Sequence, residues 1–215
     1  MTLAAVTIFI ISVHGQGFLN LNFESAQNLP GNPGNGELVS TSNALPDWAA
    51  YNGTLTLSEI YYVSNSLGRA QNVELEGGSL ALSGNLSVGL YEFSSISQTG
   101  LVPDNAESLQ FEARGPGPGD SIPQAAGFSV TLDGQSLSYS ALSDGPDYIV
   151  YGANIPAGMD NEMEELIFSC QGIGSGNVLL DNIEFSPMSA PEPSACALLG
   201  LGAVLVGLRR RRKPL

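Results

Sequence analysis

The sequence predicts an all-β fold, an antiparallel two-sheet sandwich, from three observations. Short runs alternate apolar and polar residues, most cleanly Ser108-Leu109-Gln110-Phe111-Glu112-Ala113 with apolar side chains at 109, 111 and 113, the period of a strand with one buried face. Gly, Asn, Ser and Asp separate these runs. Asp133-Gly134 stands between Phe128-Ser129-Val130-Thr131-Leu132 and Gln135-Ser136-Leu137-Ser138-Tyr139, and this pair tolerates the positive φ that a tight primed hairpin turn demands. No stretch before Ser194 sustains helical periodicity, and short strands of this kind bury their apolar faces by packing one sheet on another.

At the start, residues 1–13 form an apolar run of signal-peptide length followed by the small residues Gly15 and Gly17, which reads as a secretory h-region. Val13 at −3 and Gly15 at −1 permit cleavage before Gln16, so residues 1–15 are assigned to a signal segment. The first basic residue of the chain is Arg69; the positive n-region is missing, and a translation start upstream of Met1 is expected. The competing reading, a first strand of the folded domain, is disfavoured because the run does not alternate.

The exported domain is placed at 16–188. Leu19-Asn20-Leu21-Asn22-Phe23 alternates and is expected as a strand; residues 27–36, with Pro30, Gly31, Pro33 and Gly34, form a loop by composition. Short strands are expected at 37–41, 54–57, 60–63, 72–75, 79–82, 86–93 and 95–99, the last leading into a turn at 100–106. After 108–113 and a loop at Gly115-Pro116-Gly117-Pro118-Gly119 come the Asp133-Gly134 hairpin, a turn at 143–147, a strand at 148–151 and a loop at 154–160. Strands at 165–169 and 178–185 close the domain.

The charge is unevenly placed. Five of the seven Lys and Arg lie at Arg209-Arg210-Arg211-Arg212-Lys213, leaving Arg69 and Arg114 against the twenty acids that precede Glu192, a net of about −18. Such a surface repels nucleic-acid phosphate, so no nucleic-acid partner is expected; solubility outside the cell accounts for it. Cys170 lies in the domain and Cys196 in an apolar run near the end, so no intramolecular disulfide is expected. The single histidine, His14, sits at the signal boundary. Its removal leaves no partner for a catalytic Ser or Cys and no His-based zinc site; no catalytic residue and no metal ligand is assigned.

Three local features could carry chemistry. Trp48 with Tyr51, near Tyr61-Tyr62, is a candidate platform on which a sugar ring stacks, although a single tryptophan in a β domain also suits the core. Asp160, Glu162, Glu164 and Glu165 supply oxygen ligands of the kind calcium takes, but without the spacing of an EF-hand loop a solvated charge run is the favoured reading; no cofactor is assigned, and a structural calcium is the alternative. Paired carboxylates for glycoside hydrolysis must face each other across a cleft at about 5–10 Å, a spacing a sequence does not show.

The C-terminal end is ordered in three parts. Pro191-Glu192-Pro193 breaks any element arriving from upstream, the run 194–208 carries no charge, and the cations 209–213 follow. Fifteen residues of helix reach about 22 Å, short of the roughly 30 Å hydrocarbon core; snorkelling of Arg209 and Arg210 and local thinning make up the difference. The run is assigned as one transmembrane helix, with the basic cluster cytoplasmic and everything before Pro191 outside the cytoplasm. A buried helix ending in a basic tail is the alternative, and consecutive cations beside a charge-free run suit a lipid boundary better.

These three features, residues 189–213, resemble the PEP-CTERM sorting signal of exported proteins in Gram-negative bacteria that make exopolysaccharide. Pro214-Leu215 after the cations departs from that pattern. The resemblance implies that Pro191, Glu192 and Pro193 are read by an exosortase, a membrane-embedded cysteine protease that cleaves near the motif. The chain would be its substrate, held in the inner membrane during sorting and then passed to the envelope, cell surface or extracellular matrix. More diffusely, Asn22-Phe23-Glu24, Leu109-Gln110-Phe111, Phe128-Ser129-Val130 before Asp133-Gly134, and Leu180-Asp181-Asn182-Ile183-Glu184-Phe185 resemble jelly-roll modules of the galactose-binding and carbohydrate-binding type. That likeness implies a polysaccharide partner as the alternative function. The first expectation is a non-enzymatic exported protein.

Overall fold

The computed structural model describes residues 17–31, 36–64, 72–115, 121–122, 127–171 and 177–191. The signal segment 1–15, the Glu192-Pro193 pair, the run 194–208 and the cluster 209–213 lie outside the described residues.

Fourteen strands are found among the described residues: β1 (Glu37–Ser40), β2 (Ala49–Asn52), β3 (Leu55–Thr56), β4 (Glu59–Val63), β5 (Val73–Gly77), β6 (Leu86–Leu90), β7 (Ser94–Leu101), β8 (Ser108–Arg114), β9 (Phe128–Leu132), β10 (Gln135–Leu137), β11 (Tyr139–Asp144), β12 (Ile149–Asn154), β13 (Met163–Cys170) and β14 (Val178–Ser186). The only helical pieces described are one turn of α-helix, α1 (Thr41–Ala44), and a 3-10 turn at Gly78–Leu80. An eight-stranded sheet has the order β1-β4-β5-β6-β14-β8-β12-β11, and a six-stranded sheet the order β10-β9-β13-β7-β2-β3. Pairing is antiparallel except for β4 with β5, which run parallel. The expected sandwich is therefore present with one parallel pair inside it.

The core forms where the inner faces meet. Phe111 of β8 stacks on Tyr151 of β12, ring centroids 5.7 Å apart, and meets Tyr139 of β11 edge-on at 5.7 Å. From the small sheet, Phe168 of β13 and Phe128 of β9 approach Phe111 at 5.4 and 6.1 Å. Tilted and edge-to-face contacts of this kind add to what area burial alone supplies. The alternation that singled out Ser108-Leu109-Gln110-Phe111-Glu112-Ala113 places Leu109, Phe111 and Ala113 in this core, each fully buried.

The Asp133-Gly134 hairpin forms as expected, with φ of 50° and 68° at the two turn residues and Gln135 opposite Leu132. Its second strand stops at Leu137; from Tyr139 the chain belongs to the other sheet, as β11. Three expectations are corrected. Leu19-Asn20-Leu21-Asn22-Phe23 is not a strand: Asn20 and Phe23 take φ of 49° and 56°, and Asn20 Oδ1 accepts from Ser25 N at 3.0 Å. Asparagine amides that bond the nearby backbone compete with a ladder. Residues 79–82 hold the end of the 3-10 turn rather than a strand, and the turn expected over 100–106 begins only after β7 has run on to Leu101.

Candidate functional site

The most closely specified functional element is the end of the folded domain. β14 lies inside the large sheet between β6 and β8 and ends at Ser186, opposite Ser108. Beyond it the chain turns and crosses β8, β12 and β11 toward the sheet edge. Ser108 Oγ donates to Met188 O at 2.6 Å, and Ser189 Oγ donates to Glu107 Oε2 at 2.5 Å. Ala190 N donates to Asn154 Oδ1 at 2.6 Å, and Ser140 Oγ donates to Pro191 O at 3.2 Å. Tyr139, Tyr151 and Ala153 point into the core, so Ser140 and Gly152 face outward and the crossing chain lies on the outer face of the sheet.

Gly152 makes this crossing fit. A Cβ there would stand 3.0 Å from Ala190 Cβ and 2.7 Å from Leu142 Cδ1, so a glycine allows the close approach. Ala190 is 6% exposed. Residues 189 and 190 also form one wall of a groove of about 610 Å³, whose other walls are Asn105–Glu107 and the loop from Asn154 to Asp160.

The family model described as the PEP-CTERM protein-sorting motif matches residues 189–213. The chain carries a PEP-CTERM protein-sorting motif. Such a motif implies export and a membrane-anchored sorting step. Ser189, Ala190 and Pro191, the first residue of the Pro-Glu-Pro tripeptide, are described, with Pro191 held against β11, while residues 192–213 of the sorting motif lie outside the described residues. No curated protein matches the chain. Among solved structures, the N-terminal cellulose-binding domain of β-1,4-glucanase C from Cellulomonas fimi is similar at 13% identity, covering 76% of this chain and 99% of that one, with a TM-score of 0.30. A likeness at that score carries no argument about ligand or mechanism.

The two residues expected as a sugar platform differ in burial: Trp48 lies in the core and Tyr51 is half-buried on β2. Trp48 is 5% exposed, its ring between Phe23 at 5.7 Å and Phe168 at 6.4 Å, and its Nε1 donates to Asn20 O at 3.1 Å. The ring is buried and its polar edge is bonded inside the fold, which is where a lone tryptophan places its large apolar area. Tyr51 sits half-buried on β2, opposite Thr56 and Ser95. The acidic run is not gathered either. Glu164 and Glu165 are successive residues of β13 and point to opposite faces, and no group of three or more potential metal ligands occurs among the described residues.

A second polar feature, not singled out in the sequence, lies on the outer face of the large sheet. Glu74 and Glu76 of β5, Ser87 of β6, Asp181 of β14 and Glu112 of β8 fall on neighbouring rungs, with Glu76 opposite Ser87 and Asp181 opposite Glu112. Glu74, Glu76 and Asp181 are 0%, 3% and 1% exposed. Burial, with Glu74 nearby, pushes the Glu76 carboxyl up to about 7, against the opposing pull of Arg114 and of Asn177 Nδ2, which donates to it at 2.7 Å. Burial likewise raises Asp181 to about 7, although Asp181 accepts from Ser87 Oγ at 2.9 Å, from Ser83 N at 3.2 Å and from Asn182 N at 2.7 Å. Tyr91, which donates to Glu74 Oε2 at 3.3 Å, is driven upward by burial and by both glutamates. Alternation in Val73-Glu74-Leu75-Glu76 signals that the two acids share a face; that β14 and β8 bring Asp181 and Glu112 beside them is a matter of register, which the sequence does not carry.

Proposed function

We propose that this chain is an exported, non-enzymatic envelope or extracellular-matrix protein: a β-sandwich delivered and processed through its C-terminal sorting motif by an exosortase-type membrane protease. The observation that supports it is the match of residues 189–213 to the sorting motif, which begins three residues after β14 ends at Ser186. In this reading residues 194–208 hold the chain in the inner membrane, Arg209, Arg210, Arg211, Arg212 and Lys213 sit on its cytoplasmic side, and Pro191, Glu192 and Pro193 are what the protease reads. The sole histidine precedes the expected cleavage before Gln16. Cys170 is buried, and burial with Glu92 nearby pushes its thiol up to about 12, so it stays protonated and unreactive. Deleting residues 191–213 tests the reading: the truncated chain should leave the membrane fraction and show no processing. Unchanged fractionation contradicts it.

A further inference from the structure

The three residues that lead into the Pro-Glu-Pro tripeptide, and its first proline, are bound to the domain rather than hanging from it. Met188, Ser189, Ala190 and Pro191 each make a hydrogen bond to a different partner, Ser108, Glu107, Asn154 and Ser140. Those partners belong to β8, β12 and β11 or adjoin them, so the segment is strapped across three strands, with Gly152 admitting Ala190 beneath it. This is how a peptide is held in a binding site: the backbone groups of Met188, Ala190 and Pro191 are paired in order, and a small side chain is seated where a larger one would not fit.

The consequence follows from chain length. Between Pro191 and Ser194, where the apolar run starts, three peptide steps span at most about 11 Å. A protease takes its substrate extended over several residues on both sides of the bond it cuts. With the strap bound, the domain stands against one end of that short span. Freeing the chain back to Pro187 lengthens the reach to about 25 Å, enough for an extended peptide to enter an active site without the sandwich colliding with the enzyme.

We propose that Glu107, Ser108, Ser140, Gly152 and Asn154 form an intramolecular docking site for the peptide 188–191, and that this site withholds the sorting motif from its membrane protease until the strap is released. The inference rests on the function proposed above and adds its regulation: the rate of processing is set by strap opening. Asn154→Ala removes the acceptor of the Ala190 amide. Loss of one such bond should raise the open population about five- to tenfold; Asn154→Asp keeps an acceptor and should stay close to wild type.

Two readouts on the full chain test this. In detergent micelles, the Ala190 amide should exchange slowly with deuterated solvent in the wild type, about five- to tenfold faster in Asn154→Ala, and near the wild-type rate in Asn154→Asp. In the producing cell, pulse-chase labelling should show faster maturation of Asn154→Ala. Free-peptide exchange at Ala190 in the wild type overturns the proposal, and so does faster exchange in Asn154→Ala with no faster maturation. If the wild type does not mature at all, the function proposed above fails. Digestion with a broad-specificity protease then decides the strap alone: slower cutting across 188–191 in the wild type than in Asn154→Ala supports it, and equal rates overturn it.

Discussion

Glu76 and Asp181 give the domain a pH dependence with a definite sign. Their carboxyls titrate near 7 in the folded chain and near 4 when unfolded, so between those values the folded state binds more protons than the unfolded one. Unfolding free energy therefore falls as pH rises through this window, by at most about 4 kcal/mol for each group. Thermal melts at pH 5 and pH 8 should show the higher Tm at pH 5, and Glu76→Gln should raise Tm at pH 8 while shrinking the difference. A Tm that is higher at pH 8 contradicts the buried placement of these acids. Trp48 belongs to the same scale. Trp48→Ala removes a ring packed against Phe23 and Phe168 and should cost about 3–5 kcal/mol in denaturant unfolding; a change below about 1 kcal/mol would show the ring to be a surface feature. Residue type alone did not separate these roles, because an aromatic ring serves a core or a sugar platform equally and only the arrangement of neighbours decides.

Among elements, the β9–β10 hairpin was legible because turn chemistry is local. Asp133-Gly134 specifies its own backbone, and the register of Gln135 against Leu132 follows. A Cβ at Gly134 would meet nothing within 4 Å, so Gly134→Ala tests the φ of 68° alone and should lower stability by about 1 kcal/mol in urea unfolding. No loss there would mean that the turn does not need its left-handed residue. The segments 19–23 and 79–82 were misread for the opposite reason. The first alternates, but it is fixed by distant partners: Gln98 Oε1 accepts from Leu19 N at 2.6 Å, Gln98 Nε2 donates to Leu19 O at 3.0 Å, and Ile183 N donates to Leu21 O at 2.9 Å. Such contacts join residues far apart in sequence, and no local pattern announces them. The parallel β4–β5 pair and the strap over Gly152 were hidden in the same way.

The whole molecule is organised around an end. About −18 of formal charge, one tryptophan and one buried thiol lie before Glu192; the apolar run and the cations that follow complete the sorting motif. This part of the function was readable because a sorting motif is linear and its order of tripeptide, apolar run and basic cluster survives without a fold. What lies between Pro191 and the sheet was not readable, since Ser108, Ser140 and Asn154 converge only when β8, β11 and β12 are side by side. The measurement that tests the central claim most directly is the intact mass of the protein recovered from envelope and extracellular fractions with an antibody to the sandwich. A mature species that begins near Gln16 and ends near Pro191 is the result expected of a chain processed at its sorting motif. A species that keeps residues 194–213 and stays in the inner membrane contradicts it, making the C-terminal run a permanent anchor.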